Sequence, residues 1–178
     1  AVLAERAGRR RDARTRMGGS ELVGTSAAGL AEALPDGGAL IGLDLGTKTI
    51  GIAVCDAGWR FATALKTLPR GKFGRDRDEL RSIMEGRGVR GLVIGLPRNM
   101  DGSEGPRAQA SRAYARNLAE AFGLPVLLWD ERWSTKSADA AMIGLDVSRA
   151  KRAERIDSEA AAVILQAAID AATGSPLL

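Results

Sequence analysis

The sequence predicts an α/β fold in which one mixed sheet of five strands is flanked by helices. Two short apolar runs, at 40–45 and 50–54, flank the polar link 46–49, and this pattern favours a β-hairpin. Further along, short apolar runs alternate with amphipathic segments, as in strand–helix–strand units. The chain has 178 residues, of which 45% are hydrophobic, so it is long enough for the core of one domain and short for two.

Residues 1–38 are predicted to form a basic, disordered N-terminal extension. Arginines crowd its beginning, small and polar residues follow, and apolar periodicity is weak. The turn-forming sequence Pro35-Asp36-Gly37-Gly38 marks the predicted boundary. We therefore expect the folded domain to cover residues 39–173, with contact between the extension and nucleic acid left open.

The elements of the domain are predicted from apolar periodicity and from the positions of Gly and Pro. Leu80, Ile83 and Met84 share one face of a helix, and Pro106 is a favoured first residue of another. The predicted order is strands 40–45, 50–54 and 60–68, helix 76–85, strand 91–95, a helix from Pro106, strand 125–129, helix 135–143 and a last helix from Asp157. An antiparallel meander that leads into right-handed crossovers is a ribonuclease H-like layout.

The composition excludes several kinds of catalysis. The chain has no histidine, which rules out Ser-His-Asp and Cys-His machinery, zinc bound through histidine and an imidazole base. Its single cysteine, Cys55, forms no internal disulfide, and this predicts a reducing cytoplasm. No apolar run approaches the length of a membrane span, so no membrane partner is expected. The net charge of +4 favours a polyanionic partner.

Three acidic residues are predicted to converge at one edge of the sheet. Asp44 lies within an apolar strand, where its ionised form needs a compensating partner. Glu131 follows the carboxyl end of a parallel strand, where open α/β sheets bind ligands. Asp157 shares the apolar, sheet-facing side of the last helix. The structural alternatives are a turn cap for Asp44, a pair with Arg132 or solvent for Glu131, and an N-cap for Asp157.

Clustered carboxylates repel one another unless a cation neutralises them, and carboxylate oxygens with retained waters suit Mg²⁺ or Mn²⁺. Two such ions roughly 3.5–4 Å apart can cleave a phosphodiester without histidine. We therefore expect Asp44, Glu131 and Asp157 to be catalytic metal ligands. Basic residues on nearby loops are expected to hold nucleic-acid phosphates, although each alternatively belongs to a solvated surface. These are Lys48, Arg98, Arg149, Lys151 and Arg152.

Four segments contain the three acids, Lys48 and Arg98: GLDLGTKTIGIAVCD at 42–56, GLPRNMDGSEGPRAQ at 95–109, WDERWST at 129–135 and IDSEAAAVILQ at 156–166. They resemble the motifs of the YqgF (RuvX) family, also called Holliday junction resolvase-like proteins or pre-16S rRNA nucleases. The resemblance implies a ribonuclease H-like hydrolase that matures the 5′ end of 16S rRNA during ribosome biogenesis. It implies a metal-dependent nuclease of the bacterial cytoplasm whose acids fall on Asp44, Glu131 and Asp157.

The resemblance leaves the substrate and the assembly open. A rRNA precursor and a branched DNA junction are both compatible, ribosomal particles are an expected partner, and the chain is expected to be a monomer or a homodimer. A non-catalytic RNA-binding factor is one alternative reading. A phosphate-binding ATPase or sugar kinase is another, but such proteins need two domains of this kind, and Gly46-Thr47-Lys48-Thr49 does not fit a P-loop.

Overall fold

The computed structural model describes residues 18–133 and 149–174, the second range with side chains from residue 156 onward. The described elements are α1 (Gly19–Leu22), β1 (Val23–Gly24), α2 (Ala27–Ala33), β2 (Ala39–Leu45), β3 (Thr49–Cys55), β4 (Ala62–Pro69), α3 (Phe73–Met84), β5 (Val89–Leu96), α4 (Pro106–Phe122), β6 (Val126–Asp130), a 3-10 turn (Glu131–Trp133) and α5 (Arg149–Thr173). The predicted helix 135–143 lies outside these residues.

The strands form one mixed sheet with the order β1-β6-β5-β2-β3-β4. β2, β3 and β4 form the antiparallel meander, and β2, β5, β6 and β1 are parallel neighbours. This order, with the first long strand at the centre and the second antiparallel to it, confirms the predicted ribonuclease H-like fold. The sheet has six strands instead of the five predicted, because the two-residue β1 adds to the edge beside β6.

The structure differs from the prediction for residues 19–34, which contribute two helices and a strand to the domain. Leu22, Leu30 and Leu34 are at most 8% exposed and pack into its core. The side chain of Ser26 caps α2 by accepting a hydrogen bond from the Gly29 amide at 3.1 Å. A strand of two residues is too short to show periodicity in a sequence. β1 is recognisable as a strand only because it pairs with β6. The packed unit therefore begins well before residue 39.

The two faces of the sheet carry separate cores. On one face, α3 and α4 cover Ile41, Leu43 and Leu45 of β2. On the other face, α2 and α5 cover Leu40 and residues of β3, β5 and β6. Because side chains alternate along a strand, Asp44 shares the face of Leu40 and so lies on the side covered by α5. Within the described ranges, no helix is both long and apolar enough to cross a lipid bilayer.

The last helix begins earlier than the sequence indicates. We predicted its start at Asp157, but α5 begins at Arg149 and extends to Thr173. The first residues of α5 are mostly basic and polar, so they show no apolar periodicity from which a helix could be predicted. Asp157 is therefore two turns inside the helix, and the N-cap alternative is wrong.

Candidate active site

Asp44 occupies the penultimate position of the central strand β2, opposite Gly51 of β3. Burial raises the pKa of its carboxyl group, and the negative charge of Asp157 raises it further. Two influences oppose this shift: the positive charge of Arg107 and a hydrogen bond with Glu131. Asp44 is thus a partly buried acid whose neighbours include both other predicted acids.

Glu131 is the first residue of the 3-10 turn after β6 and reaches back over the sheet toward Asp44. Burial and, after it, the charge of Asp44 raise the pKa of its carboxyl group to about 7. The hydrogen bond between the two groups raises the pKa of Glu131 and lowers that of Asp44. This is the pattern of a protonated Glu131 that donates to an ionised Asp44.

Asp157 faces the sheet from α5 and is held by the hairpin. The hydroxyl group of Thr49 donates a hydrogen bond to Asp157 Oδ2 at 2.7 Å. The helix approaches so closely here that a Cβ atom at Gly51 would collide with the carbonyl oxygen of Asp157. A Cβ atom at Gly95 of β5 would likewise collide with Glu131 Oε1 and would lie 2.8 Å from Ile164 Cδ1 of α5. Gly51 thus makes room for the backbone of Asp157, and Gly95 makes room for the carboxylate of Glu131.

The structure therefore places Asp44 of β2 close enough to interact with Glu131, at the end of β6, and with Asp157 of α5, while the roles of these acids stay a prediction. It also adds two residues that the sequence did not single out. Thr49 orients Asp157, and the charge of the exposed Arg107 acts on both Asp44 and Glu131. Arg107 follows Pro106 in the first turn of α4. In the sequence it looks like any surface arginine, because only the tertiary fold shows that it faces the acids.

The turn of the hairpin is fixed by Arg70. Its Nη1 donates to the Gly46 carbonyl at 2.7 Å, and its backbone amide donates to the Lys48 carbonyl at 2.9 Å. The guanidinium group also lies over the ring of Tyr114, 5.2 Å from its centre. These contacts hold the turn between Asp44 and Thr49 against α4.

A divalent ion fits the chemistry of this donor set. Burial and, after it, the charge of a neighbouring carboxylate raise the pKa values of Asp44 and Glu131, and a cation would relieve both effects. Within the described residues, no three His, Cys, Asp or Glu side chains are already arranged around a metal position. Mg²⁺ commonly uses one or two protein carboxylates and retains waters, so the Asp44–Glu131 pair meets that requirement with Asp157 close by.

The predicted nucleic-acid-binding residues have different surroundings. Lys48 is exposed at the tip of the hairpin turn. Arg98 is engaged with acids: its Nη2 lies 3.5 Å from Glu104 Oε2, and its Nη1 lies 3.7 Å from Asp130 Oδ2. The side chains of Arg149, Lys151 and Arg152 lie outside the described residues. The contact of these five residues with nucleic acid stays a prediction.

The carboxylates lie apart from a cavity at the other end of the sheet. A cavity of about 800 Å³ lies at the opposite end of the sheet, where Gly38, Cys55 and Arg90 contribute to its walls and none of the three acids does. The acids instead lie at the carboxyl ends of β2 and β6 and on the part of α5 that faces the hairpin.

The fold and the acidic edge together define a ribonuclease H-like protein with a carboxylate centre. A family model described as "RuvX: Holliday junction resolvase" matches residues 38–171. The chain belongs to the RuvX family, as its four motifs predicted.

Relatives with high sequence identity carry one name. A protein of Novosphingobium aromaticivorans named "Putative pre-16S rRNA nuclease" is 63% identical over 154 residues, which cover 86% of this chain and 99% of the relative. A protein of Sphingopyxis alaskensis with the same name is 63% identical over 152 residues, which cover 85% of this chain and 99% of the relative. The solved "Thermus thermophilus RuvC structure" matches with a TM-score of 0.48 and 18% identity, over 77% of this chain and 97% of that one.

Proposed function

We propose that this protein is a divalent-metal-dependent nuclease that processes the 5′ end of precursor 16S rRNA in the cytoplasm. The names of relatives that match nearly along their whole length support the substrate. The observation that carries the chemistry is the approach of Glu131 and Asp157, from two distant parts of the chain, to Asp44 on the central strand. The absence of histidine from the sequence is consistent with hydrolysis that depends on carboxylates.

In this proposal Asp44, Glu131 and Asp157 hold one or two Mg²⁺ or Mn²⁺ ions. A bound ion of this kind neutralises phosphate charge and lowers the pKa of water, so that hydroxide is available near neutral pH. Glu131 and Asp44 share a proton when the site holds no cation, which limits their repulsion. Thr49 fixes the orientation of the Asp157 carboxylate through its hydroxyl group.

Arg107 is proposed to position the substrate. Its exposed guanidinium group has no ion pair or hydrogen bond within the described part of the chain, yet its charge reaches Asp44 and Glu131. A guanidinium group in that place suits two non-bridging phosphate oxygens. Lys48, exposed on the hairpin turn, is proposed to contact a neighbouring phosphate.

The test incubates purified protein, with and without Mn²⁺, with precursor 16S rRNA and with a synthetic four-way DNA junction. We expect Mn²⁺-dependent cleavage near the 5′ end of the rRNA. Asp44→Asn should abolish cleavage while leaving RNA binding within a few-fold of the original chain. Cleavage that persists in this variant, or RNA binding without any cleavage by the original chain, contradicts the proposal and favours a non-catalytic binder.

Junction resolution is the second candidate, because the family model carries the description of a Holliday junction resolvase. Resolving a four-way junction requires two active sites and therefore a dimer. Cleavage of the junction alone, together with a dimeric mass in solution, would favour this candidate over rRNA processing. Association with ribosomal particles is expected only for the rRNA-processing function.

A further inference from the structure

Trp133 presents an aromatic ring to solvent in the same 3-10 turn that begins with Glu131. Its side chain is 67% exposed, whereas large apolar side chains in this protein mostly lie in the two cores. The guanidinium carbon of Arg132 lies 5.3 Å from the centre of the ring. A cation at this distance covers one face of an indole, and the high exposure leaves area for a second contact.

Arg132 is itself fixed in place. Its Nε and Nη2 donate to the two carboxylate oxygens of Asp130, at 3.1 and 2.7 Å, and its Nη1 donates to the Met100 carbonyl at 3.4 Å. Arg98 Nη1 lies 3.7 Å from Oδ2 of the same carboxylate. The cation below the ring of Trp133 is therefore held by the last residue of β6 and by the loop before α4. An aromatic surface that is ordered before binding loses little entropy when a ligand stacks on it.

The position of this ring suits one ligand. Trp133 lies two residues from Glu131 in the same 3-10 turn, so a strand with one phosphate at the carboxylates would pass the turn that carries this ring. Aromatic side chains stack on unpaired bases of any sequence, whereas bases inside a duplex are already stacked on both faces. Met100, whose backbone carbonyl Arg132 contacts, is a second large apolar side chain that is exposed, at 93%.

We propose that Trp133, supported by Arg132, is a stacking site for an unpaired nucleobase beside the cleaved phosphodiester. The inference deepens the nuclease function proposed above and rests on it for the placement of the strand. It gives the enzyme a preference for a single-stranded segment at the cleavage position. The preference does not depend on base identity, because every base offers an aromatic face.

The test measures binding of fluorescent RNA by anisotropy in EDTA, so that no cleavage occurs. The ligands are an unstructured RNA oligonucleotide and a fully paired RNA hairpin of similar charge. Trp133→Ala should weaken binding of the unstructured RNA by about 5- to 150-fold and leave hairpin binding unchanged. Trp133→Phe should retain most of the affinity, because a phenyl ring still stacks.

Phe61→Ala is the matched control. Phe61 is 76% exposed, but it precedes β4 at the end of the sheet away from Asp44, so its removal should change neither affinity. A scan in which one nucleotide at a time lacks its base should identify one or two positions that reproduce the loss. The same abasic RNA should bind the Trp133→Ala variant no more weakly than the intact RNA does, because the two changes remove one contact.

The outcomes separate this inference from the nuclease function. The stacking site is overturned if Trp133→Ala weakens binding of both RNAs equally. It is also overturned if the variant binds both RNAs as the original chain does, which is the result expected when the ring binds a protein partner instead. Cleavage of precursor rRNA by the original chain, together with unchanged single-strand affinity of the variant, contradicts the stacking site alone. A selective loss of single-strand binding in a chain that cleaves nothing contradicts the nuclease alone.

Discussion

At the scale of single residues, the burial and mutual repulsion of the acidic groups oppose folding, and the rest of the fold compensates for this cost. Glu131 retains a proton near neutral pH because burial and the charge of Asp44 disfavour its ionised form. The hydrogen bond with Asp44 partly compensates both groups, and Arg107 is the positive charge that acts on both of them. This arrangement suits a cation and costs stability in its absence.

The stability of the cation-free protein should fall as the pH rises from about 4.5 to about 7. Below this pH range, Glu131 is protonated in both the folded and the unfolded protein. Within the range, Glu131 of the folded protein keeps a proton that the unfolded chain has already released. The free energy of unfolding therefore decreases as the pH rises, and it reaches its lower limit above about pH 7. Glu131→Gln should raise the free energy of unfolding at pH 8 by about 1–2 kcal/mol and abolish cleavage.

Chemical denaturation in EDTA at pH 5 and pH 8 measures this effect. Glu120→Gln is the control, because Glu120 is an exposed carboxylate on α4 and its replacement should be neutral at both pH values. A Glu131→Gln variant that is less stable than the original chain at pH 8 would contradict the proposed repulsion.

Binding of a divalent ion should stabilise the protein in a pH-dependent way. Carboxylates bind metals in their ionised form, so Mn²⁺ should raise the melting temperature more at pH 8 than at pH 5. The shift should nearly vanish in Asp44→Asn, which lacks the central carboxylate. Thermal unfolding across a Mn²⁺ titration provides the measurement. A melting temperature that rises as much in Asp44→Asn as in the original chain would show that the ion binds elsewhere.

At the scale of elements, close approach between α5 and the sheet positions the third acid. Gly51 is paired with Asp44 across β2 and β3, and it lies directly below the backbone of Asp157. A larger residue at this point would push the helix away from the strand that carries Asp44. The packing of one helix on one glycine thus sets the separation of two carboxylates.

Gly51→Ala should destabilise the protein by about 1–3 kcal/mol, since the added methyl group has no space, and should reduce cleavage more than the loss of folded protein explains. Gly58→Ala is the control, because a Cβ atom added there, in an exposed turn, would lie 3.6 Å from its nearest neighbour, Asp56 Oδ1. Urea denaturation and cleavage assays on both variants test this. A Gly51→Ala protein with normal stability and activity would show that α5 adjusts freely.

Thr49→Val keeps the shape of the side chain and removes the donor to Asp157. We expect a 10- to 100-fold loss of cleavage or Mn²⁺ affinity with a stability change of only about 1 kcal/mol. Thr63→Val, on the exposed side of β4, is the matched control. Unchanged Mn²⁺ affinity and cleavage in Thr49→Val would mean that Asp157 needs no orientation from the hairpin.

At the scale of the whole molecule, the boundary of the domain lies earlier than the turn at 35–38. Leu30 of α2 is 4% exposed and packs in the core that includes α5. Leu30→Ala should therefore lower the free energy of unfolding by about 2–4 kcal/mol, whereas Glu32→Ala, exposed on the same helix, should change it little. Equal stability of the two variants would support the shorter domain predicted from the sequence.

The sequence predicted much of this fold, and the failures have physical reasons. Asp44 was identifiable because a charge inside an apolar strand is unusual, and Glu131 because it follows a buried strand. Thr49 and Arg107 were missed, because a threonine in a hairpin and an exposed arginine are common in any sequence. Only the folded structure shows that acidic side chains lie near them. The start of α5 was missed because polar helix residues carry no periodic signal.

The placement of Asp157 on the last described helix has a consequence for synthesis of the protein. A ribosome that has translated only as far as the 3-10 turn after β6 has made two of the three acids, but not the helix that covers β2 and β3 or the residue that completes the centre. On the proposed function, a nascent or prematurely terminated chain of that length is harmless to the RNA around it. The enzyme becomes able to cut only after translation has passed α5.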